Sequence, residues 1–224
     1  MTSVGVVAES PNIPPETTAD RLERFMARVS ASWDRAKYDS RLERFGVPRR
    51  TRFDRLSKGQ QRQLSLTAAI STSPQLLILD DPTLGLDAVA RRELFEELVG
   101  ELADCGTSVF ITTHDLAGVE GIADHIGIIK DGRLLIDEEL ETVKNRFRRL
   151  EFSSDEEGLR EVVAAEMQPV QAAVAGDSDV VVGGFDEGAM SRVGQAEPAG
   201  QVTAQPMSLE EIFVALCGEN GGDA

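Results

Sequence analysis

Two adjacent carboxylates, Asp80 and Asp81, follow four large apolar residues in the stretch LLILDDPTLGLD, Leu76 to Asp87. An apolar run of that length, bounded by turn residues, reads as a buried strand of a parallel sheet. Both aspartates then stand at the carboxyl end of the strand, where open α/β sheets place their ligands. Neighbouring carboxylates repel each other unless a cation sits between or beside them. A divalent metal carrying a phosphate would serve; an acidic turn after a core strand is the other reading of the same residues.

Two further groups could join such chemistry. In LSKGQQRQLSLTAAI, Leu56 to Ile70, Ser57 and Gly59 precede a helix carrying Leu64, Leu66 and Ile70. The free N–H groups of that first turn, with the positive end of the dipole behind them, suit a terminal phosphate. An ordinary serine N-cap has the same signature. The stretch TSVFITTH reads as another buried strand, which delivers His114 to its carboxyl end, on the Asp80 edge if the strands are parallel. A lone histidine there is otherwise a structural hydrogen-bonder.

The elements that must hold these groups alternate between strand and helix. VGVVA (Val4–Ala8) is a short strand, closed by the proline-rich loop ESPNIPP. Leu22, Phe25, Met26 and Val29 then fall at i, i+3, i+4 and i+7, the spacing of a packing face. A second helix follows Trp33 with Tyr38, Leu42 and Phe45 on one face, ended by Gly46 and Pro48. A helical subdomain is thus expected over residues 16–72. AVARRELFEELVGELA is an amphipathic helix with Leu94, Leu98 and Leu102 in register, DLAGVEGIAD a short helix, and HIGIIKDGRLLI a hairpin about Asp131-Gly132. The alternation gives an α/β domain with a mainly parallel sheet. Residues 151–206 suggest strands at DVVVGGF and GQVTAQ around a helix, DEEGLREVVAAE. Ser208 then caps a closing helix with Leu209, Ile212, Phe213 and Leu216 inward.

Charge marks a boundary near residue 150. Residues 151–224 carry 15 acidic and 2 basic side chains of a chain whose net charge is −16. Such a tail is a solubilising surface and a poor fit to nucleic acid, whose binding rests on Lys and Arg. No run approaches the roughly 18 apolar residues a membrane helix needs. The N-terminus lacks the features of a secretory signal. Cys105 and Cys217 fit no metal-ligand spacing, and a cytoplasmic protein is expected.

Taken in order, LSKGQ, LLILDDP, GLD and an apolar strand ending in His resemble the nucleotide-binding domain of ABC-type ATPases. The likeness runs from Val4 to about Phe152 and resumes at MSLEEIFVALCGE. ASWDRA and the closing helix look most like ATPase subunits of ABC-2-type exporters. The resemblance implies a P-loop NTPase fold, here a partial domain over 1–150, followed by a small α+β accessory region over 151–224. It implies ATP and Mg²⁺ as cofactors. Asp80 would be the metal-holding Walker B carboxylate, and Asp81 the residue that orients the attacking water. His114 would be the switch histidine, and Asp87 part of the D-loop. Ser57, Lys58, Gly59 and Gln60 would form the signature motif facing a second subunit's γ-phosphate, and Glu9 would stand at the Q-loop position. The partners implied are a second nucleotide-binding subunit, identical or different, and a transmembrane permease that holds the pair at the inner face of the membrane.

This sequence departs from that family at four points. Asp81 stands where Glu is usual, Lys58 where Gly is usual, and Glu9 where Gln is usual. No G-x-x-x-x-G-K-[ST] occurs in the 224 residues, so the loop that cradles the β- and γ-phosphates is not among them. The expectation is a truncated exporter ATPase, inactive alone. The alternatives are a regulatory subunit that lends its signature motif to a partner's ATP, and a soluble ABC-type ATPase acting on DNA or ribosomes.

Overall fold

A computed structural model of the chain describes residues 4–152, 163, 165–167, 170, 179–196 and 202–218, without the side chains of 101–105 and 194–196. The chain divides into two compact units, Met1–Gly118 and Val119–Ala224. The charge break near residue 150 lies within the second.

In the first unit, β1 (Val4–Val7), β2 (Leu76–Asp80) and β3 (Ser108–Thr112) form a sheet in that order, with β2 central and parallel to both neighbours. Parallel neighbours cannot be joined by a tight turn. Helix α4 (Ala88–Cys105) therefore carries the chain from β2 to β3. Between β1 and β2 lie α1 (Ala19–Val29), α2 (Arg35–Arg44), a 3₁₀ turn at Phe53–Arg55 and α3 (Lys58–Ile70). Val7, Leu77 and Leu79 are buried on one face of the sheet. Gly5 is required on that face: a Cβ there would stand 3.1 Å from Leu77 and 3.3 Å from Pro74.

The opposite face is open. Val4, Val6 and Phe110 are exposed, so the stretch read as a second buried strand is instead the half-open edge strand β3, with Phe110 59% exposed. The reason is its place in the sheet, since an edge strand is covered only where a helix lies over it. A single-turn helix, α5 (Leu116–Glu120), follows β3.

The helical part has its own core of Tyr38, Leu42, Phe45, Val47, Phe53, Leu56 and Leu64. Thr18 and Asp34 cap α1 and α2 through their side chains. The Tyr38 hydroxyl donates to the carbonyl of Ala19 at 2.9 Å, and burial pushes the phenol well above its ordinary value. The expected packing face of α1 is turned: Phe25 and Val29 are each 60% exposed, whereas Ala19 and Glu23 are buried. Leu22 alone of the four is recorded against this core. The Glu23 carboxylate reaches Arg35 at 3.7 Å, so a charge occupies a place the apolar pattern had assigned to carbon.

Ion pairs tie these helices further. Glu97 on α4 is 5% exposed and accepts from both Arg41 and Arg44 of α2, the latter at 2.9 Å. Breaking a buried pair leaves an uncompensated charge and typically costs 3–5 kcal/mol. Glu97→Ala should therefore lower unfolding free energy by about 3–5 kcal/mol in urea titration. A loss below about 1 kcal/mol, the range of exposed pairs, would show that the pair is solvated.

In the second unit, β4 (His125–Lys130) and β5 (Arg133–Glu139) form the expected hairpin. Asp131 and Gly132 at its tip take φ of +50° and +73°, as a two-residue hairpin turn of this kind demands. After α6 (Leu140–Arg146) come β6 (Arg148–Phe152), β7 (Asp179–Val182), α7 (Glu187–Ala196), β8 (Val202–Pro206) and α8 (Leu209–Cys217). The three strands make an antiparallel sheet in the order β7-β6-β8. Leu150, Val163, Met167, Val182, Ala189 and Val193 form its core. Most of the helix expected at 155–166 lies outside the described residues. Leu209 and Ile212 of α8 are buried as expected, while Phe213, also expected inward, is 37% exposed.

A capping box starts α8: Ser208 Oγ accepts from the Glu211 N–H, and the Glu211 carboxylate accepts from the Ser208 N–H and hydroxyl. These bonds, the backbone one foremost, hold the Glu211 carboxyl below its usual range. A depressed folded value means the stabilisation is present above the unfolded value of about 4.3 and is lost as pH falls through the folded one. The gap in stability between the protein and Glu211→Gln should be full above about pH 5 and close on further acidification. With the carboxylate 42% exposed, it should not exceed about 1 kcal/mol. A gap that widened in acid would refute this account.

Candidate functional site

The parallel register places Asp80 opposite Thr112. Thr112 Oγ1 donates to Asp80 Oδ1 at 2.7 Å, which fixes that carboxylate at the carboxyl end of β2. Two residues beyond Thr112, His114 Nδ1 lies 2.9 Å from Asp81 Oδ2. The His114 side chain is 70% exposed and that of Asp81 20%. Asp81 Oδ1 is shielded from solvent and has no hydrogen-bond partner among the described residues.

Asp81 takes φ of +42°, in the left-handed region. For a residue with a side chain that conformation costs on the order of 1–2 kcal/mol, less for Asp than for bulkier types. Two bonds hold it there. The Asp81 N–H donates to the Thr112 carbonyl at 2.8 Å, and Arg62 Nη1 donates to the Asp81 carbonyl at 2.8 Å. Arg62 belongs to α3 and is 8% exposed.

The N-terminus of α3 is a capping box. Ser57 Oγ accepts from the Gln60 N–H at 3.2 Å, and Gln60 Oε1 accepts from the Ser57 N–H at 3.2 Å. The box occupies those two donors and leaves the N–H groups of Lys58 and Gly59 without an intrahelical acceptor. Ser57 and Lys58 are exposed. Gly59 faces the turn after β2: a Cβ on it would lie 3.7 Å from Leu86. Asp87 closes that turn and caps α4, its Oδ1 accepting from the Ala90 N–H at 2.9 Å. Glu9 is exposed, two residues past the carboxyl end of β1, on the same edge of the sheet as Asp80.

Asp81 and His114 are therefore in direct contact, and Asp80 precedes Asp81 at the same edge with its carboxylate held by Thr112. Among the described residues, no hydrogen bond or ion pair joins Ser57, Lys58, Gln60, Asp87 or Glu9 to the aspartates. Thr112 and Arg62 were not foreseen. Register could have found Thr112, which sits beside Asp80 once the strands are parallel. Arg62 carries a fainter signal, a charge in phase with Leu66, Ala69 and Ile70 on the buried stripe of α3.

The donor set decides what cation it could serve. Among the described residues, no cluster of three or more His, Cys, Asp or Glu could hold a metal. Asp80, with one oxygen fixed by Thr112, and the unpartnered Asp81 Oδ1 supply carboxylate and little else. That suits Mg²⁺, which keeps its waters and leans on substrate phosphates. The residues fit a metal that arrives with its nucleotide.

Residues 8–119, half of the chain, match the family described as "AAA domain, putative AbiEii toxin, Type IV TA system". The ABC transporter ATP-binding protein YtrB of Bacillus subtilis is 27% identical over 201 residues, covering 90% of this chain and 68% of that protein. A fluoroquinolones export ATP-binding protein of Mycobacterium tuberculosis is 33% identical over 162 residues, covering 70% of this chain and 53% of its own. A solved ATP-binding subunit of an ABC transporter superposes with a TM-score of 0.57 at 26% identity, over 64% of this chain and 61% of that one. The chain thus spans about half to two thirds of the length of these relatives. It belongs to this AAA-domain family of P-loop NTPases, and its relatives there are ATP-binding proteins of ABC transporters.

Proposed function

We propose that this chain is the ATP-binding and ATP-hydrolysing part of an ABC-type membrane exporter. The observation that carries the reading is the Asp81–His114 pair beside Asp80 at one sheet edge. The names borne by its relatives, transporter ATP-binding protein and export ATP-binding protein, support it.

Bound Mg-ATP supplies the electrophilic γ-phosphorus and a diphosphate leaving group. Asp80 would hold the Mg²⁺, its carboxylate oriented by Thr112. Asp81 would accept from the attacking water at Oδ1, since Oδ2 is taken by His114, and would receive the water's proton. His114 would steady that carboxylate by donating to it through Nδ1. The first turn of α3, with Ser57, Lys58, Gly59 and Gln60, would face the γ-phosphate bound by a second subunit. Asp87 would stand at the dimer interface and Glu9 toward the permease. No G-x-x-x-x-G-K-[ST] loop lies in these 224 residues, and the two subunits with their permease would work at the inner face of the membrane.

One observation favours a second reading. The α3 capping box is intact although no G-x-x-x-x-G-K-[ST] lies in these residues, so the chain could lend that turn to a partner's ATP without hydrolysing its own.

ATP turnover by the chain, assembled with its permease and a second nucleotide-binding subunit, separates the two. Asp81→Asn should lower turnover by about 10²–10⁴-fold, the usual contribution of a positioned base, with binding of a fluorescent ATP analogue retained. Asp81→Glu should keep turnover. Full turnover in Asp81→Asn would discard the catalytic role. If it were lost instead with Ser57→Arg, the lending role would stand.

A further inference from the structure

We infer that Arg62 is a positioning residue for Asp81, tying the left-handed conformation of that aspartate to helix α3. The inference rests on the proposed role of Asp81 as the group that orients the attacking water.

The peptide groups on both sides of Asp81 are bonded to elements other than its own. On the N-terminal side the Asp81 N–H is held by the Thr112 carbonyl of β3, and on the C-terminal side the Asp81 carbonyl is held by Arg62 Nη1, each at 2.8 Å. A φ of +42° persists at a residue with a side chain only where its surroundings impose it. In this conformation Oδ2 meets His114 Nδ1. Among the described residues no carboxylate partner is recorded for Arg62, although it is buried. A buried guanidinium with no ion pair is kept for the acceptor it does reach. Arg62 also follows the Ser57 cap by five residues on one rigid helix. A displacement of the α3 N-terminus is thus conveyed to the Asp81 backbone through a single hydrogen bond.

The histidines give a direct readout. The chain has two, His114 and His125. His114 meets its aspartate through Nδ1, whereas His125 meets Asp137 through Nε2 at 2.8 Å. A carboxylate accepts a proton-bearing nitrogen, so the two neutral rings should show opposite tautomers. Two-bond ¹H–¹⁵N spectra of the ¹⁵N-histidine-labelled chain, taken where both rings are neutral, should resolve both tautomers. Asp81→Ala marks where His114 lies once its partner is gone.

Arg62→Met should move His114 most of the way to the Asp81→Ala position, with the Nδ1–H form becoming the minor one and His125 unchanged. Arg62→Lys, which keeps one donor, should restore at least half of the shift and serves if Arg62→Met does not fold. A folded Arg62→Met with His114 at its original position would overturn the inference. So would an Asp81→Ala spectrum identical to that of the parent chain, or Arg62→Lys no different from Arg62→Met. None of these spectra needs nucleotide. Absence of ATP turnover in the assembly with its permease and second subunit would therefore count against the proposed function and leave the Arg62 result to be read by itself.

Discussion

The parallel pairing of β2 with a strand on each side is the constraint from which the site follows. Parallel strands end together, so whatever follows β1, β2 and β3 is delivered to one edge. Glu9, Asp80, Asp81 and His114 are separated by up to 105 residues in sequence and share that edge only because the strands run the same way. Leu77 and Leu79, both fully buried, anchor β2 beneath it. Burying each is worth roughly 1.5–3 kcal/mol. The two carboxylates are placed where the ladder stops, so the strand itself need not enclose a charge.

Much of this was legible because its signals are local. An apolar run closed by a turn gave β2, Ser57 and Ser208 gave the caps of α3 and α8, and Asp-Gly gave the hairpin. What stayed hidden depends on neighbours remote in sequence. Apolar spacing showed that α1 is amphipathic; it could not show that Glu23, met by Arg35, would take the inward side while Phe25 and Val29 stayed exposed. The composition of TSVFITTH signals a strand with no hint of its place in the sheet, which is why Phe110 proved exposed. Thr112 and Arg62 act on the aspartates through contacts 32 and 19 residues away. No window pattern records such distances.

Charged contacts do more of the fastening here than the apolar pattern suggests. Arg49 joins Asp20 of α1 and Asp39 of α2, at 2.9 and 2.7 Å, while Glu97 gathers two arginines from α2 onto α4. Most of these pairs are half-exposed and individually worth little; Glu97 is the exception because both of its oxygens are engaged away from water. The helices can then be held in place without burying every apolar residue they carry. That is consistent with an apolar stripe on α1 left open beside its arginines.

Remote contacts of the same kind set the backbone of Asp81. At residue 81 it departs from the strand into the left-handed region, with Thr112 pinning one peptide group and Arg62 the other. The strain is modest, and it is held by elements that would exist without it. β3 completes the sheet, and Leu64 of α3 packs in the helical core. α3 carries both the Ser57 cap and Arg62, so a single helix bears the cap and the donor that holds the Asp81 carbonyl. In a dimer of such chains the α3 turn would belong to one ATP and Asp81 to the other. If the chain pairs as proposed, the Arg62 bond is where those two places meet within one chain.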